Sequence, residues 1–212
     1  MPEMKYDVIT VCPQIIGCYL NKKHHVHKPL LLEFLDKAKP DFVHDGVEHY
    51  RGSGSLLHDV KKFEPIKSWV EKCAHHFAET LLRFDVGSRM HCVSSQLDVA
   101  SADGFQSPIQ HVNALISGAY HVRKNREQAG LAFFGPDLVG TPNRPCLMPE
   151  FIGQGPCNSP DMTNPPEGGL MLWRSHLQHG YPASGVDGRT VLSMSFLPET
   201  VNTPYKMRLC AA

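Results

Sequence analysis

The chain has no net charge, no long apolar run and no Cys-x-x-Cys pair, and each absence excludes something. Lys plus Arg and Asp plus Glu balance at 21 each, so no bulk basic surface is left over for the phosphates of a nucleic acid. No apolar stretch approaches the ~20 residues of a membrane-crossing helix. The opening Met1-Pro2-Glu3-Met4-Lys5-Tyr6-Asp7 lacks the basic-then-apolar layout of a signal peptide. The seven cysteines (Cys12, Cys18, Cys73, Cys92, Cys146, Cys157 and Cys210) are odd in number and carry no metal-type spacing. That fits a reducing compartment better than a disulfide framework. A cytoplasmic protein with neither nucleic acid nor membrane as partner is expected.

What is present suits one domain over residues 1–212. Val8-Ile9-Thr10-Val11 reads as a short strand stopped by Pro13, and Leu30 to Leu35 as a helix closed by Pro40. From Pro65 to Arg83 the residues Ile66, Trp69, Val70, Cys73, Phe77 and Leu81 fall near one helical face. Beyond residue 90 the period changes to two. Met90 to Val99, Leu115 to Val122, Leu131 to Phe134, Leu170 to Trp173 and Thr190 to Phe196 are the predicted strands. Residues 1–85 thus carry a strand and flanking helices, and residues 86–200 a β core. Gly135 to Gly169, crowded with Pro and Gly, exceeds the ~12–15 residues usual for a structureless loop; a lid and a disordered insertion are the two readings. The expected fold is mainly β with N-terminal helices (α+β), a β-sandwich or jelly-roll barrel.

The chemistry concentrates in Gly168-Gly169-Leu170-Met171-Leu172-Trp173-Arg174-Ser175-His176-Leu177-Gln178-His179, followed by Arg189 at the head of an alternating strand. An apolar run ends in a polar turn delivering His179, and a basic residue follows on the next strand. Such a pair can hold a metal near the anchored carboxylate of a small acid. Most of the other histidines have plainer readings. His24-His25-Val26-His27 looks like a polar linker before a helix. His75-His76 lie adjacent on a helix and so diverge. His111 differs, because it sits in a loop feeding the strand Leu115 to Val122. One histidine at a strand entrance and a second after a later strand is a mononuclear iron spacing, to which the facial arrangement adds a carboxylate and leaves three positions open.

Ile116-Ser117-Gly118-Ala119-Tyr120, Leu131-Ala132-Phe133-Phe134-Gly135-Pro136-Asp137 and Pro166-Glu167-Gly168-Gly169-Leu170-Met171-Leu172-Trp173 through His179 resemble segments of the 2-oxoglutarate/Fe(II)-dependent oxygenases. The branch concerned reads His-x-His, Leu-Ser-Gly, then Leu-Trp, Ser, His and Arg. Gly52 to Val60 is similar to a Gly-x-x-Ser and Asp-Leu stretch ahead of the family's long helix. The resemblance runs from Val8 to Phe196 and is specific in its C-terminal half. It implies a double-stranded β-helix (jelly roll), Fe(II), and 2-oxoglutarate as co-substrate with O₂. Decarboxylation of 2-oxoglutarate to succinate would accompany hydroxylation of a small-molecule or peptide substrate. The resemblance also implies iron ligands at His111 and His179, and Arg189 as the partner of the distal carboxylate. An arginine fork meets a carboxylate with two parallel hydrogen bonds. Ser195, on the same strand face as Arg189, and Tyr120 are expected as further donors to the co-substrate.

Two positions depart from that pattern. The first histidine of His-x-His falls on Ile109, which cannot ligate. Asn113 stands two residues after His111, where a His-x-Asp set would place its carboxylate. Asn113 is then a neutral third donor, or an anion or water completes the site, or the ligand comes from Asp98, Asp103 or His121. Two rival readings keep the fold: a metal-poor binding protein, and a cupin-like iron oxygenase without 2-oxoglutarate, its all-nitrogen site completed by His121 or His91.

Overall fold

Alternation and helical spacing build three layers. The computed structural model describes residues 14–87, 89–134, 161–201 and 207–208; the strand expected at Val8 to Val11 and residues 135–160 of the long segment lie outside them. Strand β1 (Gly17–Leu20) leads into α1 (His24–Leu35), the hairpin β2 (Phe42–His44) and β3 (Val47–Tyr50), and the helices α2 (Leu56–Asp59) and α3 (Glu64–His76). Eight strands follow: β4 (Met90–Ala100), β5 (Gln106–Ile109), β6 (Ile116–Arg123), β7 (Leu131–Phe134), β8 (Asp161–Thr163), β9 (Gly169–Arg174), β10 (Gln178–Tyr181) and β11 (Arg189–Pro198). A short ribbon pairs Thr200–Val201 with Met207–Arg208.

Two antiparallel sheets carry the site. One has seven strands in the order β1-β9-β6-β11-β4-β3-β2, the other four in the order β5-β10-β7-β8. From β4 to β7 the chain changes sheet at every step, and it does so again at β9, β10 and β11. This interleaving is that of a jelly roll. The expected closed barrel is not formed: among the described residues the two sheets remain separate hydrogen-bonded units facing one another.

Side-chain alternation on β6 decides what faces what. Ile116, Tyr120 and Val122 join Leu31, Phe63, Ile66, Val70 and Phe77 in a core between the seven-stranded sheet and the helices. Ala119, one step out of phase, joins Leu131, Phe133, Met171, Trp173 and Val191 between the sheets. α3 begins with Pro65 in its first turn and ends in one wider turn, Phe77–Leu81, where the Leu82 amide donates to the Phe77 carbonyl.

Several expectations shift. The His24 to His27 stretch is the first turn of α1, not a linker. Asn21 donates through Nδ2 to His27 Nδ1 at 2.8 Å and to the Tyr120 hydroxyl at 2.9 Å, and that hydroxyl meets His24 Nδ1 at 2.6 Å. His75 lies against Glu79, and His76 against the Tyr19 hydroxyl.

Candidate functional site

A cavity of about 280 Å³ lies between the sheets. That is near the lower end of small-ligand pockets, room for a small acid and an ion. His111, Asn113, His179, Arg189 and Ser195 all line it.

His111 and His179 form one end. His179 is on β10, not at the tip of a turn: the chain reverses over Ser175 to Leu177, and the strand then pairs with β5 and β7. His111 follows β5 directly, held by its amide donating to the Ser175 carbonyl at 2.9 Å. The two imidazole centroids are 5.3 Å apart. Burial drives the His179 imidazole down to about 4, the nearby His111 adding to the fall and the Leu177 carbonyl opposing it. Burial also lowers His111, against a pull from Asp98. Both rings are therefore neutral near neutrality, the form that ligates metals. His179 Nδ1 lies 3.0 Å from the Leu177 carbonyl and 3.2 Å from the Trp173 indole nitrogen. With Nδ1–H donating to Leu177, the indole N–H loses its acceptor there and the Nε2 lone pair is left for a metal. A second hydrogen bond of that kind orients many metal-binding histidines.

Arg189 forms the other end. It is 2 % exposed, and its Nε and Nη2 have no hydrogen-bond partner. Its guanidinium carbon stacks over the Tyr181 ring, 3.8 Å from the centroid, a cation–π contact. Tyr181, two residues beyond His179 on the same strand face, was not singled out from the sequence; that spacing alone would have found it. Burial pushes its phenol up to about 12.

Between the ends, β4 contributes Ser94, Gln96 and Asp98 to the wall. Asp98 is buried but fully engaged, accepting from His49 Nδ1 at 2.8 Å, from Gln96 Nε2 at 2.9 Å and from Ser193 Oγ. This network joins strands far apart in sequence, so spacing gave no sign of it.

The remaining expectations divide. Tyr120 faces the helices: its neighbours are Asn21, His24 and the Trp69 ring at 5.4 Å. Strand alternation turns it away from Arg189, which excludes it as a donor to an acid held there. Ser195 shares the Arg189 face but stands six residues along β11, roughly 20 Å at ~3.3 Å per residue. It lies opposite Ser117, whose hydroxyl donates to Ser175 Oγ next to His111, and so stands at the histidine end. Ile109 is the direct cross-strand partner of His179, placing an apolar side chain beside the imidazole. Asp103, His91 and His121 do not line the cavity; His121 is fully buried on the inner face of β6, across from Val191. Among the described residues no group of three or more His, Cys, Asp or Glu is placed to hold a metal. His111, His179 and Asn113 all line the cavity and carry groups able to donate to a metal.

No family model and no curated protein matches the chain. Solved structures do. A 2OG-Fe(II) oxygenase family oxidoreductase from Burkholderia pseudomallei superposes with TM-score 0.58 at 11% identity, covering 86% of this chain and 84% of that one. The non-heme alpha ketoglutarate-dependent epimerase SnoN from nogalamycin biosynthesis gives 0.64 at 12%, covering 88% and 80%. HygX from Streptomyces hygroscopicus, solved with nickel and 2-oxoglutarate bound, gives 0.57 at 11%, covering 87% and 83%. At such identities the likeness concerns architecture, and the interleaved two-sheet topology with its cavity between the sheets is the fold of the 2OG-Fe(II) oxygenase structures.

Proposed function

We propose that this protein is an Fe(II)- and 2-oxoglutarate-dependent oxygenase that hydroxylates a small-molecule or peptide substrate on a double-stranded β-helix scaffold. The observation that carries the reading is Arg189, buried in the cavity opposite the imidazole pair with two guanidinium nitrogens unpartnered. A buried cation without an anion is costly, whereas a carboxylate meeting that fork satisfies charge and hydrogen bonds together. His111 and His179 would hold the iron, with the Asn113 amide oxygen beside them as a weaker donor.

When bound, Fe(II) would activate O₂ as the oxidant, with 2-oxoglutarate giving up two electrons as it is converted to succinate and carbon dioxide. The chain supplies position and electrostatics. An Nδ1–H donated to the Leu177 carbonyl would leave the His179 Nε2 lone pair free, and the Tyr181 ring lies against the guanidinium. Leu131, Trp173 and Val191 keep the space between the sheets apolar around the acid's chain. The Asp98 network offers a fixed polar wall on the β4 side.

The rival without 2-oxoglutarate needs His121 or His91 at the imidazole pair. Neither lines the cavity, which supports the co-substrate reading against it. The metal-poor binding protein is answered by measurement. Oxygen uptake and succinate release are followed with Fe(II) present, with and without 2-oxoglutarate. Uptake that depends on 2-oxoglutarate is expected even without the proper substrate, as slow uncoupled turnover. Uptake independent of 2-oxoglutarate favours the cupin-like enzyme; no uptake with no iron bound favours the binding protein.

A further inference from the structure

Among the described residues, the arginines and carboxylates that line the cavity are Arg51, Arg189 and Asp98. Asp98 is committed to His49, Gln96 and Ser193 within the wall. A divalent ion and a dicarboxylate keto acid, bound together, cancel each other's charge and leave the excess of positive charge as it stands. Arg189 has its part in the proposed reaction; Arg51 has none. We propose that Arg51 anchors the substrate to be oxidised, and that this substrate is a small carboxylic acid. This rests on the co-substrate reading above. Two cations against one anion leave a single positive charge over, which a carboxylate cancels and a doubly charged phosphate overshoots.

Register and backbone place the side chain. Across β3 and β4, His49 pairs with Asp98 and Tyr50 with Leu97. Continuing that alternation sets Arg51 opposite Gln96, on the face of His49 and Asp98, where it lines the cavity. Gln96 stands across from Ser193 on β11, and Ser94 across from Ser195 at the histidine end. The two levels are one pair of residues apart, about 7 Å at ~3.3 Å per residue. An acid gripped by Arg51 therefore extends toward the histidines along a wall of hydroxyls and an amide.

The backbone beneath Arg51 is fixed from outside. Asp41 accepts the Arg51 amide at 2.5 Å and the Gly52 amide at 3.0 Å, and Asp59 accepts the Ser53 amide at 2.7 Å. These carboxylates take up amides and not the guanidinium, which meets no carboxylate among the described residues. Arg51 is exposed where Arg189 is buried, so it can meet a molecule arriving from solvent. A charge at the mouth of a cleft with low-dielectric walls raises the local concentration of its counter-ion. Its planar fork then fixes how a carboxylate sits.

The test uses protein loaded with Mn(II) and 2-oxoglutarate, so that Arg189 is occupied, and titrates it with N-acetylglycine and with N-acetylglycinamide. The two probes differ only in a carboxylate for an amide. The acid is expected to bind about tenfold more tightly, the value of one hydrogen bond to a charged group. Arg51→Gln is expected to remove that preference, and Arg51→Lys, which keeps the charge without the fork, to retain part of it. Substitution at so exposed a position leaves the core untouched. Equal binding of acid and amide, binding of neither, or a preference that survives in Arg51→Gln overturns the proposal. So does an equal loss of 2-oxoglutarate affinity in Arg51→Gln, which would assign Arg51 to the co-substrate. Native protein that takes up Mn(II) but no 2-oxoglutarate is a separate result: it overturns the co-substrate reading and the substrate anchor with it.

Discussion

At the scale of single residues the site contrasts a weak donor with a strong one. Asn113 lines the cavity at the histidine end, and an amide oxygen is neutral where a carboxylate is a charged, harder ligand. Asn113→Asp is therefore expected to bind Fe(II) or Mn(II) more tightly than the native chain, by roughly tenfold or more; titration of both proteins side by side measures it. Equal affinities would move Asn113 away from the metal. Arg189 supplies the opposite case. Arg189→Lys keeps the charge but loses the fork and the guanidinium contact with the Tyr181 ring. An expected fall of roughly 10- to 100-fold in 2-oxoglutarate affinity follows from losing one charge-assisted bond. A lysine variant that binds the acid as well as arginine would place the acid's tail elsewhere.

The elements show how these residues are aimed. Across β10 and β5, His179 pairs with Ile109 and Tyr181 with Gln106, so the register slips at Gly180. Pro108 lies in the slipped stretch of β5, where no amide hydrogen is available to the ladder. A Cβ on Gly180 would come within 2.4 Å of the Gln106 carbonyl oxygen. Gly180→Ala must then push β5 and β10 apart, carrying both His111 and His179 out of register. Metal affinity is expected to fall by tenfold or more while far-UV circular dichroism barely changes, since four-residue strands carry the damage. An alanine variant with native metal affinity would show that β5 yields freely. Elements of this kind were the hardest to foresee. β4, β6, β9 and β11 announce themselves by alternation between two buried environments, and α3 by its spacing. β5 and β10 are four residues long, too short for any period to repeat. Yet they position both histidines. His179 and Arg189 stand out in the sequence as candidates because a strong strand adjoins each; the motif around Tyr120 indicates its strand but not the face it occupies.

For the whole molecule, proton linkage gives a measurable slope. His179 is neutral when folded down to about 4, while the unfolded chain takes up its proton near the ordinary 6.5. The unfolded state thus binds more protons as pH falls through that window, and metal-free protein loses stability there. Burial of His121 pulls the same way. Between about pH 7 and about pH 5, urea unfolding is expected to lose about 2 kcal/mol through His179, and His179→Gln is expected to remove that part of the slope. An unchanged slope in the variant would assign the pH dependence to other groups.

The two sheets differ greatly in what holds them. The seven-stranded sheet has strands of eleven, ten and eight residues backed by the helical core; in the four-stranded sheet, among the described residues, no strand is longer than four. Local opening follows such differences in packing. The two ends of the site thus stand on foundations of unequal strength: Arg189 on the long sheet, His179 on the short one. On warming, amide exchange is expected to quicken in β5, β7 and β10 well before β4, β6 and β11. Metal-free protein should lose its metal site at a temperature where most of its ellipticity survives, and metal, by bridging His111 and His179, should close that gap. The ion would then act as a clasp on the weaker sheet, making thermal inactivation a question of metal supply before it becomes one of unfolding.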